Sequence, residues 1–201
     1  DWFKNQEARN LISNLNLHSH SRKKIQSIDN YHNDDNPFVS FDTLAKNYGK
    51  PITGSNYYNL GCSEFQGINN FYDRVIDAIN DGTLTSNVLD IYIHSSPKQF
   101  CDGCFLTLLQ LKIALKNLGI NARIHASSDG SDVHKLLPEI LKTHGLAAIT
   151  DIKNNLINHL STQLDIIINQ HLQEKINNYF DILAEIDTDD IGAIKLLSEL
   201  W

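Results

Sequence analysis

The sequence predicts an α/β fold, in which strands and helices alternate along the chain and pack in layers. Two observations lead to this prediction. Between Cys62 and Thr150, segments with apolar residues at every third or fourth position alternate with short β-branched runs, the patterns of helices and buried strands. The connections between these segments are short, which favours right-handed crossovers that bring the strands into one sheet.

The first helix of this alternating region is expected directly after Cys62. Its apolar residues recur at helical spacing, and Asn80–Gly82 should end it because glycine readily adopts the left-handed conformation that follows a helix. The apolar stripe consists of Phe65, Ile68, Phe71, Tyr72, Val75, Ile76 and Ile79.

The elements that follow are read from the same patterns. β-branched and aromatic runs indicate strands, and Leu- and Ala-rich stretches that close at glycine indicate helices. We expect, in order, a strand over Val88–Ile93, a helix over Phe105–Leu118 that ends at Gly119, a strand over Ile120–Ala126, a helix over Val133–His144 and a strand over Gly145–Thr150.

The regions on either side of this core are predicted to be extensions. Phe38–Phe41 and Lys50–Thr53 are candidates for an opening hairpin, and Glu7–Leu17 for a short helix. The expected regions are an amino-terminal helical or linker extension over 1–49, a core over 50–150 and a carboxyl-terminal helical extension over 151–201.

The carboxyl-terminal extension has a long apolar stripe at helical spacing, and Asp189 or Asp190 is a candidate cap for a last helix that ends at Trp201. Such a stripe packs on its own domain or binds a protein partner. The stripe runs through Ile152, Leu156, Leu160, Leu164, Ile167, Ile168, Leu172, Ile176, Tyr179, Phe180 and Leu183.

Composition limits the classes of function. A chain of 201 residues with 41% hydrophobic residues can bury a full core, and no apolar run is long enough to predict a membrane span. The formal net charge of −7 gives no general attraction for a polyanion, although a small basic cluster lies at Arg22–Lys24. The chain begins at Asp1 and contains no methionine, so we expect a fragment of a longer polypeptide.

The three cysteines carry the strongest chemical signal. They occur as Cys62-Ser63-Glu64 and Cys101-Asp102-Gly103-Cys104. A C-x-x-C pair and one distant cysteine can give zinc three thiolates, which leaves the fourth tetrahedral position for water, and Glu64 can reach that water without binding the metal. Because three thiolates leave the site with a net charge of about −1, the positive ends of helices should offset it, and both motifs are predicted at helix starts.

This pattern resembles the signature of the zinc-dependent nucleobase deaminases, a Cys- or His-x-Glu motif followed by Pro-Cys-x-x-Cys. The resemblance covers roughly residues 50 to 150, and the two motifs are separated by enough chain for a helix, a turn and a strand. It implies a cytidine deaminase-like core with three layers, a mixed sheet with helices on both faces. One position departs from the pattern, because Phe100 replaces the proline before the first cysteine of the pair while Pro97 lies upstream.

The resemblance also implies an activity, that of a zinc-dependent hydrolase with one zinc ion per chain. Cys62, Cys101 and Cys104 would bind the metal, and Glu64 would shuttle protons during the loss of ammonia. Substrate contacts are predicted from position at Asn56, Asn59, His94 and Ser95. The Cys-x-Glu form and the acidic charge favour a free nucleoside or nucleotide, of cytosine or adenine type, over single-stranded DNA or RNA.

Other readings of the cysteines stay open at this point. They include a structural zinc with a histidine as fourth ligand, three buried core thiols, and an inactive zinc-stabilised module that binds a protein through the carboxyl-terminal helices. A deamidase with a cysteine nucleophile would need a neighbouring histidine, for which His94 is the candidate. The short core and its helical flanks also resemble the deaminase domains of bacterial toxins and effectors, which implies a secreted or delivered domain acting in a reducing, cytosolic compartment.

Overall fold

The computed structural model describes residues 36–48, 59, 62–95, 100–128, 135–185 and 197. The predicted helix over Glu7–Leu17, the candidate strand Lys50–Thr53, Asn56, Pro97 and the candidate caps Asp189 and Asp190 lie outside these residues.

The described chain is mixed α/β and mostly helical. Two strands are present in it, β1 (Val88–Ser95) and β2 (Asn121–Ser128). The helices are α1 (Phe41–Leu44), followed by a 3-10 turn at Lys46–Tyr48, α2 (Ser63–Asn80), α3 (Asp102–Asn117), α4 (Leu136–His144), α5 (Leu146–Gln163) and α6 (Gln170–Ala184). Within the described ranges, none of these helices is both long enough and apolar enough to span a bilayer.

The two strands form a parallel pair, the arrangement expected when a crossover connects two strands of one sheet. Leu89 lies opposite Ala122 and Ile91 opposite Ile124, and all four side chains are buried on the face that packs against the helices. Because side chains alternate along a strand, the residues between them point to the other face of the sheet. That face carries three pairs: Asp90 with Arg123, Tyr92 with His125, and His94 with Ser127.

This second face of the sheet is more exposed than the predicted three-layer fold would leave it. Tyr92 is 50% exposed, and the side chains of Arg123 and His125 are 56% and 46% exposed. The Tyr92 and His125 rings stack at 4.4 Å, while Arg123 and His125 both contact Asp90. Parallel sheets are usually covered on both faces, so the described residues do not reproduce the predicted three layers.

Helix α3 is the centre of the core. Every residue from Asp102 to Leu115 is buried, because α1, α2, α4 and the sheet surround it. Its polar side chains therefore need internal partners. The Thr107 hydroxyl donates to the Gly103 carbonyl at 3.1 Å, and the Lys112 ammonium donates to the Ala122 carbonyl.

Most predicted elements of the core are confirmed. Helix α2 ends before Gly82, which has a φ of 76°, and α3 ends before Gly119, which has a φ of 82°. Both glycines adopt the left-handed conformation that ends a helix. The predicted strands from Val88 and from Ile120 correspond to β1 and β2, and α4 forms the described part of the helix expected over Val133–His144.

The strand predicted over Gly145–Thr150 is wrong, because this segment begins helix α5. Gly145, with a φ of 80°, separates α4 from α5, and the chain is helical again from Leu146. The buried residues Ile149, Ile152 and Leu156 keep helical spacing across residue 150. The boundary predicted between 150 and 151 therefore falls inside a helix.

Most of the carboxyl-terminal apolar stripe packs on the chain itself, although Ile167, between α5 and α6, is 84% exposed. The buried residues of α6 are Leu172, Ile176, Tyr179, Phe180 and Leu183. The Tyr179 hydroxyl donates to the Phe105 carbonyl of α3 at 3.2 Å, which fixes α6 against the central helix. In α5 the buried residues of the stripe are Ile152, Leu156 and Leu160.

The segment 36–48, here called the strap, crosses the helices without pairing in a sheet. The candidate strand Phe38–Phe41 is wrong, because Ser40 caps α1 by accepting a hydrogen bond from the Thr43 N–H. Buried amide side chains hold the backbone of the strap instead. Asn69 accepts from the Phe38 N–H, Gln110 both accepts from and donates to Val39, and Asn59 accepts from the Phe41 N–H, all at 2.9 Å.

Candidate metal centre

The three cysteines converge at the junction of α2 and α3. Cys62 precedes α2, and Cys101 and Cys104 lie at the start of α3. The Sγ atoms of Cys101 and Cys104 are 3.3 Å apart, and those of Cys62 and Cys101 are 3.9 Å apart. All three Sγ atoms lie within 4.8 Å of one another, and all three residues are buried. Among the described residues, no other cluster of three such ligands forms.

This geometry fits a tetrahedral metal ion. Zinc–thiolate bonds of about 2.3 Å place tetrahedral sulfur ligands about 3.8 Å apart, close to the separations seen here. Three soft thiol ligands also suit zinc better than a hard cation such as magnesium. The triad is therefore compatible with one zinc ion, with Cys62, Cys101 and Cys104 as its protein ligands.

The local sequence explains why the thiols meet. Cys62 and Cys101 are both N-cap residues with extended backbone, so each lies at the start of a helix, where the first N–H groups have no partner within the helix itself. The Cys101 Sγ accepts from the Cys104 N–H at 3.3 Å, as a Ser or Asp cap would. The helix starts predicted from the two motifs are confirmed.

The buried thiols of Cys101 and Cys104 favour their protonated forms. Burial, followed by the hydrogen bonds with Cys101 and Cys62, raises the pKa of Cys104 well above its ordinary value. The Cys104 contact lowers the pKa of Cys101, but the Cys62 contact and burial outweigh it, so that pKa is also well above its ordinary value. An ion that binds here must displace these protons.

Glu64 lies beside the triad in the first turn of α2. Its Oε2 atom is 3.8 Å from the Sγ of Cys104, while Oε1 accepts a hydrogen bond of 2.5 Å from the Ser95 hydroxyl. Ser95 is buried at the end of β1. The serine therefore occupies one carboxylate oxygen and leaves the other oriented toward the thiols.

Asn59 also contacts the triad. Its Nδ2 group donates to the Sγ of Cys104 at 3.3 Å, and its backbone carbonyl accepts from the Cys62 N–H at 2.8 Å. Its Oδ1 atom accepts from the strap at Phe41. Asn59 is fully buried, so it orients one sulfur ligand and links the triad to the strap.

Gly103 allows this close approach. A Cβ at position 103 would lie 2.9 Å from Cγ and 3.0 Å from Cβ of Asn59, and 3.0 Å from Cβ of Phe41. Real Cβ atoms rarely have contacts this short, so only glycine fits between the strap and the C-x-x-C turn.

Asp102 connects the same turn to α4. One carboxylate oxygen accepts from the Leu136 N–H at 2.6 Å and the Leu137 N–H at 2.7 Å, and the other accepts from the Gly103 N–H at 3.0 Å. Burial raises the pKa of Asp102 to about 7, although these three N–H groups lower it. The N-cap residue of α4, Lys135, makes no side-chain cap, so Asp102 performs that role from another helix.

The predicted substrate contacts occupy different environments. Asn59 and Ser95 lie in the site, where they contact Cys104 and Glu64. His94 points to the exposed sheet face, where its Nδ1 atom is 3.0 Å from the Ser127 hydroxyl. Asn56 is outside the described residues. Phe100, at the position where the deaminase pattern has proline, is buried with its ring 5.6 Å from that of Phe105.

Two residues of the site, Asp102 and Gly103, were not assigned a role from the sequence. Both lie inside the C-x-x-C motif, but their partners are far away along the chain. Asp102 contacts residues 34 and 35 positions later, and Gly103 faces Asn59 and Phe41. An acidic residue and a glycine between the two cysteines are the sequence signal that could have identified them.

Comparison of the chain with protein-family models, with curated proteins and with solved structures found no match.

Proposed function

We propose that this protein is a zinc-dependent hydrolytic deaminase of a nucleobase. One observation carries the proposal: the carboxylate of Glu64 lies beside the cysteine triad, with Oε2 3.8 Å from a thiol sulfur. A zinc site with four protein ligands and a purely structural role needs no additional carboxylate at that place. The parallel strand pair, and the two helices that begin at cysteines, support a cytidine deaminase-like core.

The residues have distinct roles in this proposal. The triad would hold zinc, a Lewis acid that would lower the pKa of a water molecule so that hydroxide is available to attack the ring at neutral pH. Glu64 takes a proton from the water at Oε2 and passes it to the ring nitrogen. It then takes the remaining hydroxyl proton and delivers it to the amino group, which leaves as ammonia. Ser95 holds Oε1, so the carboxylate keeps one orientation during both transfers. Asn59, whose amide already contacts Cys104 and Phe41, orients a ligand rather than the substrate.

The proposed substrate is a free nucleoside or nucleotide, of cytosine or adenine type. The net charge of −7 supports a small substrate over a nucleic acid, since proteins that hold DNA or RNA usually present a basic surface. The resemblance to toxin and effector deaminases supports a delivered domain. Single-stranded DNA or RNA is the alternative substrate.

The first test combines metal content with turnover. The chain, its Glu64→Gln variant and a Glu174→Gln control should be assayed for bound zinc and for ammonia release from nucleosides, nucleotides and single-stranded nucleic acids. Glu174 lies on α6 and contacts Gln170 on the protein surface. We expect one zinc ion per chain in all three proteins and a loss of activity of at least about 100-fold in Glu64→Gln alone. Full activity in Glu64→Gln would refute the mechanism.

A zinc-stabilised binding module is the second candidate. It is favoured by the complete burial of the triad at the start of the most buried helix, where a metal ion would also stabilise the fold. The same assay separates the two proposals. The binding module would be supported if the chain binds zinc but releases ammonia from no substrate, and if Glu64→Gln changes neither measurement.

A further inference from the structure

Three helix starts converge on the cysteine triad. α2 begins at Cys62, α3 begins at Cys101, and the first N–H groups of α4 contact Asp102 in the middle of the C-x-x-C turn. Each helix start carries a partial positive charge. With a metal bound, the triad and Asp102 together carry negative charge, which these helix starts offset.

The contact between Asp102 and α4 accounts for most of the donors at that helix start. The first N–H groups of a helix have no partners within it. Here the groups of Leu136 and Leu137 donate to Asp102, and the next residue, Pro138, has no N–H group. Because Asp102 is buried and Lys135 makes no cap, the carboxylate of the metal-ligand turn supplies the described capping of α4.

We propose that Asp102 is a positioning residue that couples metal binding at the triad to the docking of α4. The proposal rests on the metal centre of the proposed function, but not on its catalytic activity. A metal ion fixes the turn between Cys101 and Cys104, and therefore the position of the carboxylate between them. The fixed carboxylate then holds α4. Once docked, α4 keeps the C-x-x-C segment in the conformation that binds the metal.

Coupling of this kind is reciprocal, so it can be measured from either end. From the metal end, Asp102→Asn should weaken zinc binding by about 10- to 100-fold, as loss of a residue that orients metal ligands typically does. From the helix end, zinc should slow amide hydrogen exchange in residues 136–144 of the original chain by about tenfold or more. In Asp102→Asn at saturating zinc, this slowing should be largely lost.

The matched control is Asp81→Asn. Asp81 also accepts a backbone hydrogen bond, from the Thr83 N–H at 2.8 Å, but it follows α2 and is exposed. Zinc affinity would be measured by competition with a chromophoric chelator, and exchange by mass spectrometry with and without zinc. The control should match the original chain in both measurements.

The outcomes separate the coupling from the metal centre. If the original chain binds no zinc, the metal centre itself is refuted, and the coupling with it. If Asp102→Asn matches Asp81→Asn in affinity and in zinc-dependent protection of α4, only the coupling is refuted. Should Asp102→Asn fail to fold, the original chain still decides: zinc must protect residues 136–144 more than residues 170–184, and equal protection of both helices would overturn the proposal.

Discussion

Single residues around the triad act through close contacts with residues distant in sequence. The Asn59 amide contacts both Cys104 and the strap, and Gly103 leaves the space that this amide occupies. Ser95 restrains Glu64 from the end of β1. Each of these residues therefore affects the geometry of a cysteine or of the carboxylate beside it without supplying a ligand.

Gly103→Ala should destabilise the protein although it lies in a helix. Alanine is the better helix former by about 1 kcal/mol, but its Cβ would collide with Asn59 and Phe41. We expect the free energy of unfolding to fall by about 1–3 kcal/mol, with weaker zinc binding because Asn59 must move. Denaturant unfolding and zinc competition would measure the two effects.

Gly119→Ala is the contrasting variant. Position 119 is open to a Cβ, but its φ of 82° strains any residue other than glycine. This variant should lose stability with unchanged zinc affinity. An unchanged or more stable Gly103→Ala protein would show that helix propensity outweighs the contact.

The site residues differ in how far the sequence could predict them. The spacing of Cys62, Cys101 and Cys104 is sufficient to place three thiols at two helix starts, because helix-capping preferences are local. The contact between Ser95 and Glu64 joins residues 31 positions apart, and the contact between Asp102 and Leu136 joins residues 34 positions apart. Pairings at that distance depend on the packed fold, and no local pattern specifies them.

Among the elements, the strap depends most on side-chain hydrogen bonds. Besides the three amides already described, His159 on α5 contacts the Pro37 carbonyl through Nε2 at 3.0 Å, and Asn155 donates to the Leu44 carbonyl at 3.0 Å. The strap is therefore attached to α2, α3 and α5.

The attachment at His159 should make stability depend on pH. Burial lowers the pKa of His159 below its ordinary 6.5, although the contact with Pro37 raises it. Because the pKa of His159 is lower in the folded chain, the unfolded chain protonates this ring more readily. The contribution of His159 to the free energy of unfolding is therefore complete above about pH 6.5 and is lost as the pH falls below it. Denaturant unfolding should show that the free energy of unfolding declines between neutral pH and about pH 5. The decline should be smaller in His159→Gln, by at most about 1 kcal/mol.

His171→Gln is the control for this measurement. His171 is exposed on α6, so its replacement should leave the pH dependence unchanged. Parallel profiles for the original chain and His159→Gln would contradict the role assigned to His159.

The elements also differ in how predictable they are. Helix α2 has a long periodic apolar pattern and α3 a long stretch rich in Leu and Ala, each with glycine after its end, and both are predicted. The segment from Gly145 to Thr150 is a short apolar run, which fits a strand or a buried helix equally well. Its continuation through Ile152 and Leu156 settles the question, because strands rarely extend that far.

At the scale of the whole molecule, the metal centre and the core are one structure. The triad lies at the start of α3, and α3 is packed by three other helices and the sheet. A metal ion that binds only the folded chain stabilises it by mass action, by about 2.7 kcal/mol at 100 times its dissociation constant.

Removal of zinc should therefore lower the melting temperature. For a chain of this size we expect a decrease of about 5–10 °C when a strong chelator is added, reversed by excess zinc. Differential scanning fluorimetry would measure it. Cys62→Ser should melt at a lower temperature that responds much less to the chelator, and a chelator effect of the same size in that variant would exclude the triad as the source.

The hydrogen bonds that hold the strap predict which positions of this sequence tolerate substitution during evolution. The amides of Asn59, Asn69 and Gln110 bind backbone groups of the strap and not its side chains. Since every residue except proline offers the same N–H group, partly exposed strap positions such as Val39 can accept substitutions freely. Selection should instead fall on the three amides and on the buried strap residues such as Phe38 and Phe41, so relatives of this chain should keep these while the partly exposed strap positions diverge.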